Sequence, residues 1–332
     1  KESSAASDVY KRQQWNMQNF TILIGSAIIV VLGIFDDRNA LSAKFKFGIQ
    51  LIAAAIPVVF GNLRIELITN PNLFSGELYV KFGALAIPIT IIWIVAITNA
   101  VNLIDGLDGL AVGVSAIACM TMLAVSLLIG EVPIAILLAV LAGACVGFMP
   151  FNLNPASIFM GDTGSTFLGF MLATLSIQGM FKVYAIISFA VPFLILGLPI
   201  FDTAFAFTRR ILSGRSPFSP DRGHVHHRLI DMGFNQKQTV AILYIISTVL
   251  GLLAVVLTTS GEYRAIVMVL VVLITCVVGG GIYLSAERRK MKLHEQKLHE
   301  LNQQENEQQK IAEQTQDADD TSDRGGFDNE DN

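Results

Sequence analysis

The chain alternates long apolar blocks with short polar breaks, and that rhythm sets its class before any motif is read. Blocks of about 15–24 residues, the length an α-helix needs to cross a bilayer, fall at 20–35, 45–60, 84–98, 109–129, 132–150, 164–181, 184–201, 238–259 and 265–284. The pattern predicts an all-α polytopic membrane protein with about nine transmembrane helices. Nine spans alternate sides. The loop around Asp36, residues 99–108, 151–163 and 202–237 and the tail then share one side, and 61–83, 130–131, 182–183 and 260–264 share the other. In 61–83, RIELIT and ELYVKFG flank NPNLFSG, which predicts a small β-hairpin on the outer side.

Three segments follow. Residues 1–19 are polar with no apolar signal region, lack an initiating Met and are expected to lie outside the native structure, as the start of a fragment cut from a longer protein. Residues 20–285 form the transmembrane catalytic domain. Residues 286–332 begin basic, turn Gln/Glu/Asp-rich and are expected to be a cytoplasmic, largely disordered tail; His294 and His299 there read as solvated side chains.

Composition agrees with the pattern. The chain is 53 % hydrophobic and 15 % charged, with a mean hydropathy of +0.57, whereas soluble domains are about a quarter charged. The basic residues divide by side. Arg38, Lys44, Arg209, Arg210, Arg215, Arg222, Arg228, Lys237 and the Arg288–Lys292 cluster fall in the first set of loops, against Arg64, Lys81, Lys182 and Arg264 in the second. The excess places the first set in the cytoplasm. The net charge of −4 says little, because much of the acid lies in the tail. Cys119, Cys145 and Cys276 sit inside apolar blocks and read as packing residues, not disulfides or metal ligands.

The acids gather on the same side. Asp36 and Asp37 end the first span in FDDRNALS. Neighbouring helical residues point about 100° apart, so one of the pair can meet the reacting groups while the other pairs with a base or caps the next element. In NAVNLIDGLDGL, Asn99, Asn102, Asp105 and Asp108 recur every third residue, which on a helical turn would set them along one side. Such a face suits a polar heterocycle, a sugar or a metal; helix capping would explain one acid but not the repeat. In FNLNPASIFMGDTGS, Asp162 precedes Thr163-Gly164-Ser165 at a helix start. That end favours an anion, with Asp162 able to hold a divalent cation against it. Asn152 is a nearby oxygen donor, and Phe159 can stack on a base or serve as an interface residue. SPDRGHVHHRL carries His224, His226 and His227 between Arg222 and Arg228. No Cys or Glu stands at zinc spacing, so a diphosphate clamp or a basic loop on anionic headgroups fits better. Asp202, at the end of a block, is either a sixth acid of the site or an interfacial residue.

LGIFDDRNALS, NAVNLIDGLDGLA, FNLNPASIFMGDTGS and RGHVHHRL, in this order, resemble the polyprenyl-phosphate N-acetylhexosamine-1-phosphate transferases. The likeness runs from about residue 20 to 285 and is nearest to the bacterial branch using UDP-GlcNAc and undecaprenyl phosphate, of the teichoic acid or O-antigen initiating type. His-Val-His-His, in place of three consecutive histidines, separates the chain from the phospho-MurNAc-pentapeptide transferases of peptidoglycan synthesis, the alternative branch. The resemblance implies Mg²⁺ (or Mn²⁺) at Asp162 and Asn152, and catalytic roles for Asp36, Asp37 and Asp162. It implies a nucleotide pocket from Asn102, Asp105, Asp108 and Phe159, and a sugar-diphosphate clamp from Arg222, His224, His226 and His227. It also implies two further N-terminal spans, so that nine of about eleven are present. The expected partners are UDP-GlcNAc, undecaprenyl phosphate, membrane lipid and a second copy of the chain, with no nucleic acid, in a bacterial plasma membrane. Of the rivals from other classes, a transporter would place its acids near mid-bilayer on broken helices, and a scaffold would not need Asp/Asn motifs in three loops.

Overall fold

A computed structural model describes residues 2–69, 79–179, 190–212, 214 and 224–259. Among them the chain is almost wholly helical: α1 (Glu2–Arg38), α2 (Ala43–Val59), α3 (Ala86–Ile104), α4 (Leu110–Leu128), α5 (Val132–Asn152), α6 (Gly161–Gly179), α7 (Ala190–Ile195), α8 (Gly197–Leu212), α9 (Val225–Asp231) and α10 (Gln236–Thr258). Five stretches are long and apolar enough to cross a membrane: Met17–Arg38, Gly83–Ile104, Leu110–Leu128, Val132–Asn152 and Gln236–Thr258. They keep large apolar side chains outside, among them Phe20, Leu23, Val31, Ile92, Ile136 and Val140, as helices solvated by hydrocarbon do.

Helix α6 is the exception, because it is enclosed. From Ser165 to Gly179 nearly every residue is buried, and it packs chiefly on α1 and α3 while α4 packs on α5 and α10. Its hydroxyls bond back within the helix: Ser165 to the Gly161 carbonyl (2.8 Å), Thr174 to Phe170 (2.9 Å) and Ser176 to Ala173 (2.7 Å). No polar group of these three needs a lipid-facing partner. Phe170, Ile29, Ile94, Leu172 and Leu138 fill the core around it. Cys119 and Cys145 are buried free thiols, as the apolar blocks predicted; Cys276 lies outside the described residues.

The helices depart from the predicted blocks in two notable places. Helix α1 begins at Glu2, not near residue 20. Gln18 is buried, and Asn19 accepts a hydrogen bond from Gln178 on α6 at 3.0 Å, so these polar residues join the bundle instead of lying outside it. The block 184–201 is not one continuous helix over its described part. Residues 180–189 are not described, and the helix breaks at Leu196 between α7 and α8. Pro199 has no N–H to continue the ladder through that point, and α8 then runs on to Leu212. In the 61–83 segment, β1 (Leu67–Thr69) pairs antiparallel with β2 (Tyr79–Lys81), Leu67 opposite Lys81; residues 70–78, the block 265–284 and the tail lie outside the described residues.

Close packing on α6 demands a small residue. A Cβ on Gly33 of α1 would stand 2.3 Å from Thr163 Cα, whereas one on Gly48 of α2 would meet nothing within 4 Å. Gly33→Ala should therefore lower the thermal unfolding midpoint in detergent, equivalent to a loss of about 1–3 kcal/mol. Gly48→Ala should leave it unchanged or raise it by about 1 kcal/mol. Equal midpoints would refute this account of the α1–α6 contact.

Candidate active site

Asp36 and Asp37 leave the end of α1 in different directions and do different work. The Asp37 carboxylate accepts from the Asp162 N–H (2.7 Å), the Thr163 N–H (3.1 Å) and Thr163 Oγ1 (2.6 Å). It thus caps the open N-terminus of α6 from another helix and meets the positive end of its dipole. The anion expected at this helix start is thus supplied by the chain's own Asp37, which corrects the sequence reading. Asp36 is buried. Its Oδ1 accepts from the Leu41 N–H (2.8 Å) and its Oδ2 from Lys46 Nζ (2.6 Å). Lys46 also reaches Asp162 Oδ2 at 3.1 Å. Lys46 was missed in the sequence; the signal available was a cation in the first turn of an apolar helix, costly there unless paired.

Asp162 is completed by α3. Asn102 Nδ2 donates to Asp162 Oδ1 and to Ser165 Oγ, both at 2.9 Å. Helix α3 then stops at Ile104, and Asp105 has non-helical backbone angles (φ −76°, ψ 46°). Asn102, Asp105 and Asp108 therefore do not line one helical side as their spacing predicted. A turn over 105–109 brings them together instead. They form one wall of a cavity of about 300 Å³, with Asp37, Phe159 and Asp162 on the others. Phe159 is 76 % exposed, an aromatic face at the cavity's edge.

Amides hold this turn in place. Asn152, expected as a metal ligand, is 2 % exposed. Its Oδ1 accepts from the Gly109 N–H (3.1 Å) and its Nδ2 donates to the Ile158 carbonyl (2.9 Å). Its side chain clips two loops together, and its oxygen is already engaged. Asp108 Oδ2 accepts from Asn154 Nδ2 (2.9 Å) and the Ala156 N–H (3.2 Å), and Asn154 also donates to Gln236 Oε1 on α10 (2.7 Å). The Tyr244 hydroxyl, from α10, donates to the Gly109 carbonyl. Asn154, Gln236 and Tyr244 were not singled out in the sequence, because nothing local marks their partners.

The histidines approach the same turn. His224 and His226 are buried, their rings stacked at 5.8 Å, and His227 lies 4.3 Å from His226. A Cβ on Gly106 would stand 2.5 Å from His226 Nε2, so only glycine lets the ring touch the cavity wall. Burial, then neighbouring His227, pushes the His226 pKa down to about 4. His226 is a neutral donor–acceptor, not the cation that a diphosphate clamp or a headgroup-binding loop implied. Arg222 lies outside the described residues.

Among the described residues, the cavity lining holds no Lys or Arg. Burial first, then the carboxylates of Asp162, Asp37 and Asp108, raise the Asp105 pKa to about 7. Among the described residues, no three His, Cys, Asp or Glu side chains converge closely enough to enclose a metal. Hard oxygen donors on an under-neutralised wall nonetheless fit a divalent cation such as Mg²⁺, which takes one or two protein carboxylates and the rest of its ligands from phosphate and water.

An enclosed central helix, an acidic cavity at its N-terminus and a histidine-bearing helix beside it define a helical membrane enzyme handling anions. The chain belongs to Glycosyl transferase family 4, which it matches over residues 19–180. It is 43 % identical over 253 residues, 76 % of this chain and 70 % of the relative, to a Bacillus subtilis (strain 168) protein named "Probable undecaprenyl-phosphate N-acetylglucosaminyl 1-phosphate transferase". It is 36 % identical to the decaprenyl-phosphate N-acetylglucosaminephosphotransferase of Mycobacterium leprae (strain TN) over 68 % of this chain and 61 % of that protein. It is 33 % identical to the phospho-N-acetylmuramoyl-pentapeptide-transferase of Staphylococcus aureus (strain JH9) over 70 % and 71 %. The chain thus spans about three fifths to seven tenths of these relatives.

The Asp105 shift has a definite pH signature. A carboxyl whose folded pKa is above its unfolded value stabilises the fold most below the unfolded value, near 4, and loses that contribution as pH rises toward 7. Asp105→Asn has no proton to lose. Without divalent cations, its stability relative to the unaltered protein should rise between pH 5 and 8, by about 2 kcal/mol after solvent screening. Thermal midpoints across that range measure it; a gap that is constant with pH would sink the assignment.

Proposed function

We propose that this chain transfers GlcNAc-1-phosphate from UDP-GlcNAc to undecaprenyl phosphate at the cytoplasmic face of a bacterial plasma membrane, releasing UMP and forming undecaprenyl-diphosphate-GlcNAc. The observation that carries the reading is the meeting of Asp162, Asn102 and the Asp105 turn at one cavity, with Lys46 bonded to Asp162; hydropathy and the basic loops support a cytoplasmic position for these helix ends. The printed names of the Bacillus and Mycobacterium relatives support a polyprenyl-phosphate acceptor and a GlcNAc-phosphate donor.

In this reading the uridine lies against the Asn102–Asp108 wall, with Phe159 offering a stacking face. The donor diphosphate reaches toward Asp162, and His226 supplies a neutral hydrogen-bonding edge at Gly106. An oxygen of the lipid phosphate forms a bond to the β-phosphorus while the bond to the UMP oxygen breaks, and its electron pair leaves with UMP. A phosphate monoester already carries −1.5 to −2 charge near pH 7, so no base need take a proton. That suits Asp37, occupied as a helix cap, and Asp36, occupied by Lys46. A divalent cation bound with the donor would neutralise phosphate charge as it shifts to the leaving group; Asp162 and Asp105 would hold it. Lys46 is the nearby protein cation, placed to lower the repulsion between two anionic substrates.

Release of UMP and formation of lipid-linked GlcNAc from radiolabelled UDP-GlcNAc, in nanodiscs containing undecaprenyl phosphate, test this. Asp162→Asn should cut turnover at least about 100-fold while leaving the thermal midpoint close to that of the unaltered protein. EDTA should stop the reaction and Mg²⁺ restore it. UDP-MurNAc-pentapeptide should not serve as donor; its preferential use would move the chain to the other branch. Full activity of Asp162→Asn would remove that residue from the chemistry.

A further inference from the structure

One buried carboxylate has no place in the account so far. Asp202 lies on α8, 4 % exposed. Its Oδ2 is 2.9 Å from His224 Nδ1, and its Oδ1 accepts from the Val225 N–H at 2.7 Å. Both contacts fall at the start of α9. One turn further along α8, Phe205 carries the Arg228 guanidinium over its ring at 4.9 Å, so α9 is held to α8 at its start and at its middle. His224 stacks on His226 with the ring planes only 11° apart, and His226 abuts Gly106 in the cavity wall. A continuous line of contacts runs from Asp202 through His224 and His226 to the turn that carries Asp105.

We propose that Asp202 is a positioning residue for the transfer reaction: it fixes the tautomer and ring orientation of His224, and through the ring stack sets His226 against the substrate cavity. The argument is one of donor inventory. An ionised carboxylate only accepts hydrogen bonds, so the 2.9 Å contact places a proton on His224 Nδ1. In the neutral form of the ring the lone pair is then on Nε2, which is the role a carboxylate partner has for an imidazole that must present one nitrogen. The second carboxylate oxygen ties the same residue to the first backbone N–H of α9, so the ring and the helix move together. Asp202 touches no reacting atom, and its effect is transmitted by His224. This inference rests on the transferase reading for its activity test but not for its geometric one.

The experiment uses the whole chain in nanodiscs with ¹⁵N-labelled histidine. Asp202→Asn is the informative variant, since its amide oxygen can still accept from the Val225 N–H while the carboxylate is lost. The unaltered protein should show a slowly exchanging imidazole Nδ1–H resonance that disappears in both Asp202→Asn and His224→Ala. For UMP release, Asp202→Asn should lower kcat/KM by about 10- to 100-fold, and the double variant should be no worse than His224→Ala alone. Asp202→Glu, which keeps the charge on a longer arm, should restore the resonance and part of the rate. A resonance unchanged by Asp202→Asn would overturn the proposal. So would costs that multiply in the double variant, or a Glu variant as poor as the Asn variant, since these mark Asp202 as a scaffold residue only. The resonance needs no substrate: its absence from the unaltered protein overturns the positioning, whereas UMP release from neither donor overturns the transferase reading alone.

Discussion

The N-terminus of α6 opens on the cavity, partly exposed, and the N–H groups of its first turn have no partner within their own helix. Asp37 meets the need with three hydrogen bonds, and much of the site follows from that choice. Capping from α1 requires α1 to approach the first turn of α6 closely, which is where Gly33 faces the Thr163 backbone. With Asp37 turned toward α6, the neighbouring Asp36 must point elsewhere, into a buried position where only a cation makes it tolerable. Lys46 supplies that cation and, from the same position, reaches Asp162 in the turn that Asp37 has just fixed.

The consequence is a division of labour among carboxylates that look alike in the sequence. Asp36 and Asp37 are spent on holding α1, α2 and α6 in register. Asp108 is tied to Asn154 and Ala156. Asp105 is pushed up to about 7, because burial and three like charges act on it. Asp162 stands between the groups, bonded to Lys46 on one side and Asn102 on the other. An anionic substrate cannot approach such a wall unless positive charge comes with it. A cation that arrives on the donor diphosphate meets both needs at once, which is why the lack of a closed set of metal ligands is no obstacle to metal-assisted chemistry here.

Much of this was legible in the chain because the bilayer enforces a simple grammar. Apolar length predicted helices at the positions of α2 through α5 and α10 to within a few residues, and the polar motifs did converge from separate loops. What could not be read was three-dimensional partnership. The Asn102–Asp105–Asp108 spacing invited a helical face, yet a helix end and a turn bring the residues together, since the two glycines there let the chain break. Asn152 had the chemistry of a ligand but its oxygen went to the Gly109 N–H, 43 residues away in sequence. Lys46 was passed over, because a sequence does not show which carboxylate a lysine will find. The division of 184–201 was foreseeable in hindsight from Pro199, but its apolar continuity outweighed one proline in a pattern-based reading.

The proposed reaction asks the site to bring two anions together without a general base, and the arrangement of charge is consistent with that demand. Lys46 sits behind Asp162 and is shared with Asp36, so one ammonium faces two carboxylates and offsets only part of their charge before any substrate arrives. A phosphate that comes with its own cation meets less repulsion there than one that comes alone. The neutral His226 edge at Gly106 leaves that balance unchanged. A protonated imidazole there would attract any phosphate into the acidic wall, whereas a neutral ring discriminates by hydrogen-bond geometry and adds no charge. In the proposed reaction the described part of this wall thus leaves charge neutralisation to a cation that arrives with the donor.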